Sequence, residues 1–157
     1  MLAGLTISLL RPGGVVSLAE PVPRHTQRLY ALVDLASLGD ALAEKVRAAE
    51  EAIYADSDDP LVNWAEDDLR AAFVAAGLSD VAVESLESLS ETRVSPAMLG
   101  RWFGSAARND RPSYGQRLAG FLSADELATV QALYERMLIG ATVSWRSVTA
   151  YVVARKS

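Results

Sequence analysis

The sequence contains no cysteine, which excludes disulfides, thiolate catalysis and zinc sites built from cysteine. It has one histidine, His25, and a single imidazole argues against a histidine-rich metal site. Positive charge is scarce as well, because 15 lysines and arginines stand against 20 aspartates and glutamates, a net charge of −5. We therefore expect no metal site and no direct nucleic-acid binding.

Long hydrophobic runs are also missing. Residues 1–10 are apolar, but they have no basic flank or small-residue cleavage site and are too short to span a bilayer. A cytoplasmic protein without membrane contacts is the expectation. The chain has neither the GxxxxGK[ST] loop that cradles phosphates nor a Gly-rich turn after a strand. The sequence therefore predicts no cofactor-binding residue and no catalytic residue within this chain.

What the chain does have is the composition of a folded domain, with hydrophobic residues making up 50% of its 157 positions. We find no repeat or linker, and we predict a single domain over 1–157.

The opening segment of the chain is its most informative part. Leu2–Leu10 has helical apolar spacing, Pro12 ends the helix, and Gly13 and Gly14 allow a sharp reversal. Val15–Ala19 is then predicted to be a strand covered on both faces.

The remainder alternates between helices and strands. The acidic run at 56–59 lacks the glycine and glutamate that a calcium-binding loop needs, and is predicted to be a turn. Ser123 and Glu126 have the spacing of a capping box. The predicted helices are His25–Leu35, Ala41–Tyr54, Ala65–Ala76, Pro96–Phe103, Tyr114–Leu122 and a helix from Ser123 to Ile139, and the further strands are Val81–Val94 and Ser147–Arg155.

Three segments carry a resemblance to a known family. "LRPGG" followed by an apolar strand resembles the entry into the fifth strand of class I S-adenosylmethionine-dependent methyltransferases, and "DLRAAFVAAGLSDVAVE" and "TAYVVARK" resemble their sixth and seventh strands. The resemblance implies an α/β, incomplete methyltransferase-like (Rossmann-type) half-domain. Its small mixed sheet would have about three strands, the last antiparallel between the other two. The opening segment alone is equally typical of a helix–turn–strand in any α/β protein.

Longer segments are similar to the C-terminal extension of bacterial AAA+ ATPases of the replication-associated recombination family. They are "AEPVPRHTQRLYALVDL", "AEEAIYADSDDPLVNWAEDDLRAAF", "RPSYGQRLAGFLSADEL" and "TVSWRSVTAYVVARK". This implies a non-catalytic module of such an ATPase that acts in assembly or partner binding. Two alternatives stay open: the substrate-side lobe of an active methyltransferase, which would bind S-adenosylmethionine only when the fold is completed, and a free-standing protein-interaction domain.

One candidate site follows the first strand, where open α/β sheets bind their ligands. It comprises Glu20, Arg24, His25 and Arg28. The two arginines suit an anionic group, and His25 suits a base near neutral pH. The alternative is a solvated loop.

A second candidate is an arginine–aromatic surface for a partner or a nucleobase, formed by Arg111, Tyr114, Trp145 and Arg146. Its alternative is that the aromatic side chains belong to the core.

Assembly is the last expectation. The fifth strand of a whole methyltransferase is paired on both sides, whereas Val15–Ala19 here lacks the fourth strand and would expose an apolar edge. We therefore predict a homodimer, or contact with an upstream domain of a fusion protein, through this strand or the apolar N-terminal helix.

Overall fold

The computed structural model describes residues 10–104 and 111–157. The predicted N-terminal helix Leu2–Leu10 lies, except for its last residue, outside the described residues. The strands are β1 (Val15–Pro21), β2 (Leu78–Arg93) and β3 (Thr142–Lys156). The α-helices are α1 (Asp40–Ala55), α2 (Glu66–Ala75), α3 (Pro96–Phe103), α4 (Tyr114–Leu118) and α5 (Ala124–Leu138).

The three strands form one open sheet in the order β1-β3-β2. This confirms the prediction that the last strand lies between the other two. Neighbouring strands are antiparallel, so the sheet is not the mixed sheet that we predicted. A mixed sheet needs a pair of parallel neighbours, and β1 and β2 are not neighbours because β3 lies between them. The β1–β3 register runs from the pair Val15 and Arg155 to the pair Pro21 and Thr149.

The internal contacts of the chain divide it into two compact units, where the sequence predicts one domain. Unit 1 comprises Met1–Thr26, Ser57–Leu89 and Arg146–Ser157, and unit 2 comprises Gln27–Asp56 and Ser90–Trp145. Within the described residues, no helix has the length and apolar character needed to cross a membrane.

Unit 1 has one covered sheet face. Side chains from β1 and β3 that alternate along the strands pack against Phe73 of α2 and Leu78 of β2; they are Val16, Val152 and Ala154. A second small core joins Val22, Val148 and Ala150. The opposite face is exposed, with Val15 at 51% and Val153 at 46%. The prediction that β1 is covered on both faces is therefore wrong for the described residues, because its side chains alternate between a core and solvent.

Unit 2 has a larger, mainly helical core. Most of its buried residues come from α1, α3, α4 and α5, and they include Val46, Leu99, Leu118, Leu133 and Tyr134. The hydroxyls of Ser95, Ser113 and Ser123 accept main-chain N–H bonds at the starts of α3, α4 and α5. The predicted capping box of Ser123 and Glu126 is confirmed.

The predicted helix His25–Leu35 is wrong. The structure has separate short 3₁₀ turns there, Pro23–His25, Leu29–Leu32 and Leu35–Leu38. Arg28 is extended, which interrupts any continuous helix, and the N–H groups of Leu29 and Tyr30 bond to the side chain of Glu50 instead of to a preceding turn. A carboxylate distant in sequence thus replaces the local helical bonds.

Candidate functional site

The first part of the candidate site is the outer edge of β1. Gly14 accepts a bond from the N–H of Lys156 at 2.8 Å, and Val22 donates to the carbonyl of Val148 at 2.9 Å. Antiparallel pairs alternate between bonded and non-bonded positions. The even-numbered residues of β1 therefore face β3, and the N–H and C=O groups of Val15, Ser17 and Ala19 point away from it. We call these outward groups the β1 edge.

The side chains of the same three residues share one face of the sheet with Tyr151 and Val153, their neighbours across the strand pair. Tyr151 and Val153 are 48% and 46% exposed. On β2, alternation puts Ala82 and Leu86 on this face, because Val81 and Val83 pack against the covered side. We call this surface the open face. The β1 edge and the open face thus meet along Val15–Ala19, a stretch without charged residues.

The two outer strands of the sheet differ in charge. β2 carries Asp80, Glu84 and Glu87 along its part in unit 1, whereas Val15–Ala19 of β1 carries no charged residue. Charged side chains on an edge strand oppose pairing with another chain. Among the described residues, β2 therefore carries charges that oppose pairing with another chain, whereas Val15–Ala19 of β1 carries none.

The predicted loop after β1 forms a set of ion pairs in unit 1. Arg24 contacts Asp68 at 2.9 Å, and its Nε donates to Asn63 at 2.8 Å. The Nδ1 of His25 lies 3.3 Å from Glu66 Oε1. Arg24 and His25 thus each have their own surface partners, which favours the solvated-loop interpretation. Glu20 lies in β1, opposite Ala150.

Arg146, from the second predicted surface, reaches this loop. One of its amino groups donates to the carbonyl of His25 at 3.3 Å, and the other contacts Glu87 at 2.8 Å. The hydrogen bond from Arg146 lowers the pKa of Glu87. The structure therefore brings His25 and Arg146, which the sequence assigned to separate candidates, into one cluster.

Ser85 completes this cluster, but not as a nucleophile. Its hydroxyl donates to Glu66 Oε1 at 2.5 Å, the carboxylate that also contacts His25. The bond from Ser85, with a smaller contribution from His25, lowers the pKa of Glu66. Nucleophilic catalysis needs the imidazole between the hydroxyl and the carboxylate. Here the carboxylate lies between the other two, so the geometry orients His25 without activating Ser85.

The remaining predicted residues lie in unit 2. Arg28 forms a two-bond contact with Glu51 at 3.0 and 3.1 Å, and its guanidinium lies 3.8 Å above the ring of Tyr54. Trp145 is half-buried and stacks on Trp102, with ring centroids 6.0 Å apart, which favours its interpretation as core. Arg111 is exposed in the loop before α4.

Tyr114 belongs to a buried network that the sequence analysis missed. Its hydroxyl donates to Glu50 at 2.7 Å and lies 3.4 Å from that of Tyr134. Glu50 is completely buried, and burial raises its pKa despite the bonds from Tyr114, Leu29 and Tyr30. The signal was present in the sequence, because Glu50 is spaced by four residues from Val46, on the apolar side of α1. The network ties α1 to α4 and has a structural role.

Among residues 10–104 and 111–157, no group of three or more histidine, aspartate or glutamate side chains is arranged to hold a metal ion. No protein-family model matches the chain, and no curated protein matches its sequence at a significant level.

Proposed function

We propose that this chain is a non-catalytic, methyltransferase-like module that assembles with another polypeptide through the β1 edge. The observation that carries the proposal is the contrast between the two outer strands. The outward N–H and C=O groups of Val15, Ser17 and Ala19 belong to a stretch of β1 without charged residues, while β2 carries Asp80, Glu84 and Glu87. An uncharged strand edge is a template for strand addition.

The strand order supports the methyltransferase-like part of the proposal. The resemblance implies that β1, β2 and β3 correspond to the fifth, sixth and seventh strands, and the observed order β1-β3-β2 agrees with it. On the same resemblance we propose that the module is the C-terminal part of a cytoplasmic AAA+ recombination ATPase. Its partner would be a second copy or an upstream domain of the fusion.

The alternative proposal, a substrate-side lobe of an active methyltransferase, draws on His25. Its contact with Glu66 at 3.3 Å holds the imidazole through Nδ1, and the side chain is 43% exposed. An imidazole oriented by a carboxylate is suited to accept a proton through its other nitrogen. We prefer the assembly module, because Arg24 and Arg146 next to this imidazole are already paired with Asp68 and Glu87.

A charge-insertion pair tests assembly through the β1 edge. Val15→Lys adds a charge to the β1 edge strand, and Ala82→Lys adds the same charge to β2 on the same open face. We expect the wild-type chain to associate at tens of micromolar in sedimentation, Val15→Lys to be monomeric and Ala82→Lys to behave like wild type. Association that survives Val15→Lys would overturn the proposal.

Calorimetry with S-adenosylmethionine tests the expectation that this chain alone has no cofactor-binding residues. We expect no binding heat with the purified chain at micromolar ligand, since the sequence offers no Gly-rich turn for the cofactor. Stoichiometric binding would contradict that expectation and with it the proposal of a non-catalytic module.

A further inference from the structure

The outward N–H and C=O groups of the β1 edge have a defined spacing, and this spacing restricts how a second strand can pair with it. Among the described strand residues, the outward N–H groups of β1 are those of Val15, Ser17 and Ala19. The next outward residue is Pro21, which has no N–H. An added strand therefore finds three donors in a row, centred on Ser17, and none at the position that follows.

This spacing is self-complementary. Two copies of β1 can pair antiparallel about a two-fold axis. In such a pairing, the numbers of the two residues that lie opposite each other always add up to the same total. When the axis passes between the two Ser17 residues, Ser17 pairs with its counterpart and Val15 pairs with Ala19 of the other copy. All three donors then meet outward carbonyls. A register centred one residue later, on Leu18, would place Val15 of each copy opposite Pro21 of the other and leave one carbonyl in each copy without a donor.

The side chains agree with this register. The paired positions on the open face are Val15 with Ala19, and Ser17 with Ser17, which are small or β-branched and uncharged. Glu20, the one charged residue in β1, falls opposite Gly14 of the other copy, so no like charges meet. Both open faces lie on the same side of the joined sheet, because directly opposite residues of an antiparallel pair face the same way.

We infer that the occupant of the β1 edge is a second copy of this chain, paired antiparallel with Ser17 on the two-fold axis. The inference rests on the proposed function and adds the partner and the register. The joined sheet has the strand order β2-β3-β1-β1-β3-β2, and its two outer strands are the acidic β2 strands, which resist further addition.

Single cysteines test the register, because the chain has no cysteine of its own. Bonded antiparallel pairs have Cα atoms about 5.5 Å apart, within the range of about 4.4–6.8 Å that a disulfide spans. Ser17→Cys should therefore oxidise to a covalent dimer. Val15→Cys and Ala19→Cys should each crosslink poorly alone and efficiently when mixed.

All three sites are exposed, so the variants should fold. The matched control is Ala82→Cys, whose counterpart lies about 24 Å away across five strand spacings.

The outcomes separate the register from the proposed function. A crosslink for Ser17→Cys and for the mixture of Val15→Cys with Ala19→Cys, but not for Ala82→Cys, supports the inference. If Val15→Lys abolishes association while Ser17→Cys does not crosslink, the inference is overturned and the proposed function stands. If Ala82→Cys crosslinks as fast as Ser17→Cys, the copies meet through the open face and the inference is overturned. A wild-type chain that stays monomeric overturns the inference and leaves an upstream domain of the fusion as the partner in the proposed function.

Discussion

The two compact units treat their polar groups differently. In unit 2 the fully buried carboxylate Glu50 receives bonds from two main-chain amides and from Tyr114. In unit 1 the polar main-chain groups of Val15, Ser17 and Ala19 point away from β3, at the outer edge of the sheet. Residues 15–19 include no charged side chain. Every buried side-chain nitrogen and oxygen of the described chain has a hydrogen-bond partner. In the described residues, unit 2 thus satisfies the polar groups around Glu50 internally, whereas unit 1 carries outward main-chain groups at the β1 edge, where we propose that a partner binds.

Removing the buried carboxylate should have the largest effect. Glu50→Ala leaves the N–H groups of Leu29 and Tyr30 and the hydroxyl of Tyr114 without their acceptor. Each unpaired buried group costs about 1–3 kcal/mol, so we expect the free energy of unfolding in urea to fall by about 3 kcal/mol or more.

The neighbouring carboxylate is the control. Glu51 is half-exposed, and Glu51→Ala removes only its contacts with Arg28 and Tyr30. An exposed ion pair contributes about 0–1 kcal/mol, so this loss should be small. Equal losses for the two variants would mean that the Glu50 network is not what stabilises unit 2.

Two adjacent valines of β3 test the two faces of the sheet in unit 1. Val152 is completely buried, and Val153 is 46% exposed on the open face. Val152→Ala removes two buried methyl groups, so we expect a loss of about 2 kcal/mol, while Val153→Ala should stay within about 0.5 kcal/mol. Urea unfolding at a concentration where the chain is monomeric measures both. A large loss for Val153→Ala in the monomer would show that the open face is covered by the chain itself.

The smallest effect is on the pH dependence of stability. Burial raises the pKa of Glu50 above its ordinary value of 4.5, so the folded chain binds this proton more tightly than the unfolded chain. The stability of the wild type should therefore decrease as the pH rises from 4.5 through the native pKa of Glu50. Glu50→Gln should remove that decrease.

Two other carboxylates, Glu51 and Glu66, affect the pH dependence of stability below pH 4.5 instead of above it. The pKa values of Glu51 and Glu66 are lowered by bonds from Arg28 and Ser85, so their contribution is lost as the pH falls below 4.5 and should persist in Glu50→Gln. Thermal unfolding between pH 4 and 8 compares the two proteins. Identical slopes above pH 4.5 would contradict a raised pKa for Glu50.

Local sequence chemistry determined several elements of this protein. Helix α3 has its predicted bounds, Pro96–Phe103, because a serine cap and a proline in the first turn define its start. Gly77 and Gly140 adopt positive φ angles of 83° and 80° after helices α2 and α5, where the helices were predicted to end. The order of the three strands was also predicted, but from resemblance rather than from local chemistry.

Tertiary structure decided the rest, because the deciding partners are distant in sequence. The segment predicted as helix His25–Leu35 became short turns, since the carboxylate of Glu50, some 20 residues away, binds the N–H groups of Leu29 and Tyr30. The candidate residues were regrouped for the same reason: His25 meets Arg146, 121 residues further along the chain, while Tyr114 meets Glu50. The short apolar run after Gly13 and Gly14 predicts the strand β1 and its apolar character. Only the pairing of β1 with β3 determines which of its amides face outward, since the bonded positions depend on the register between two strands.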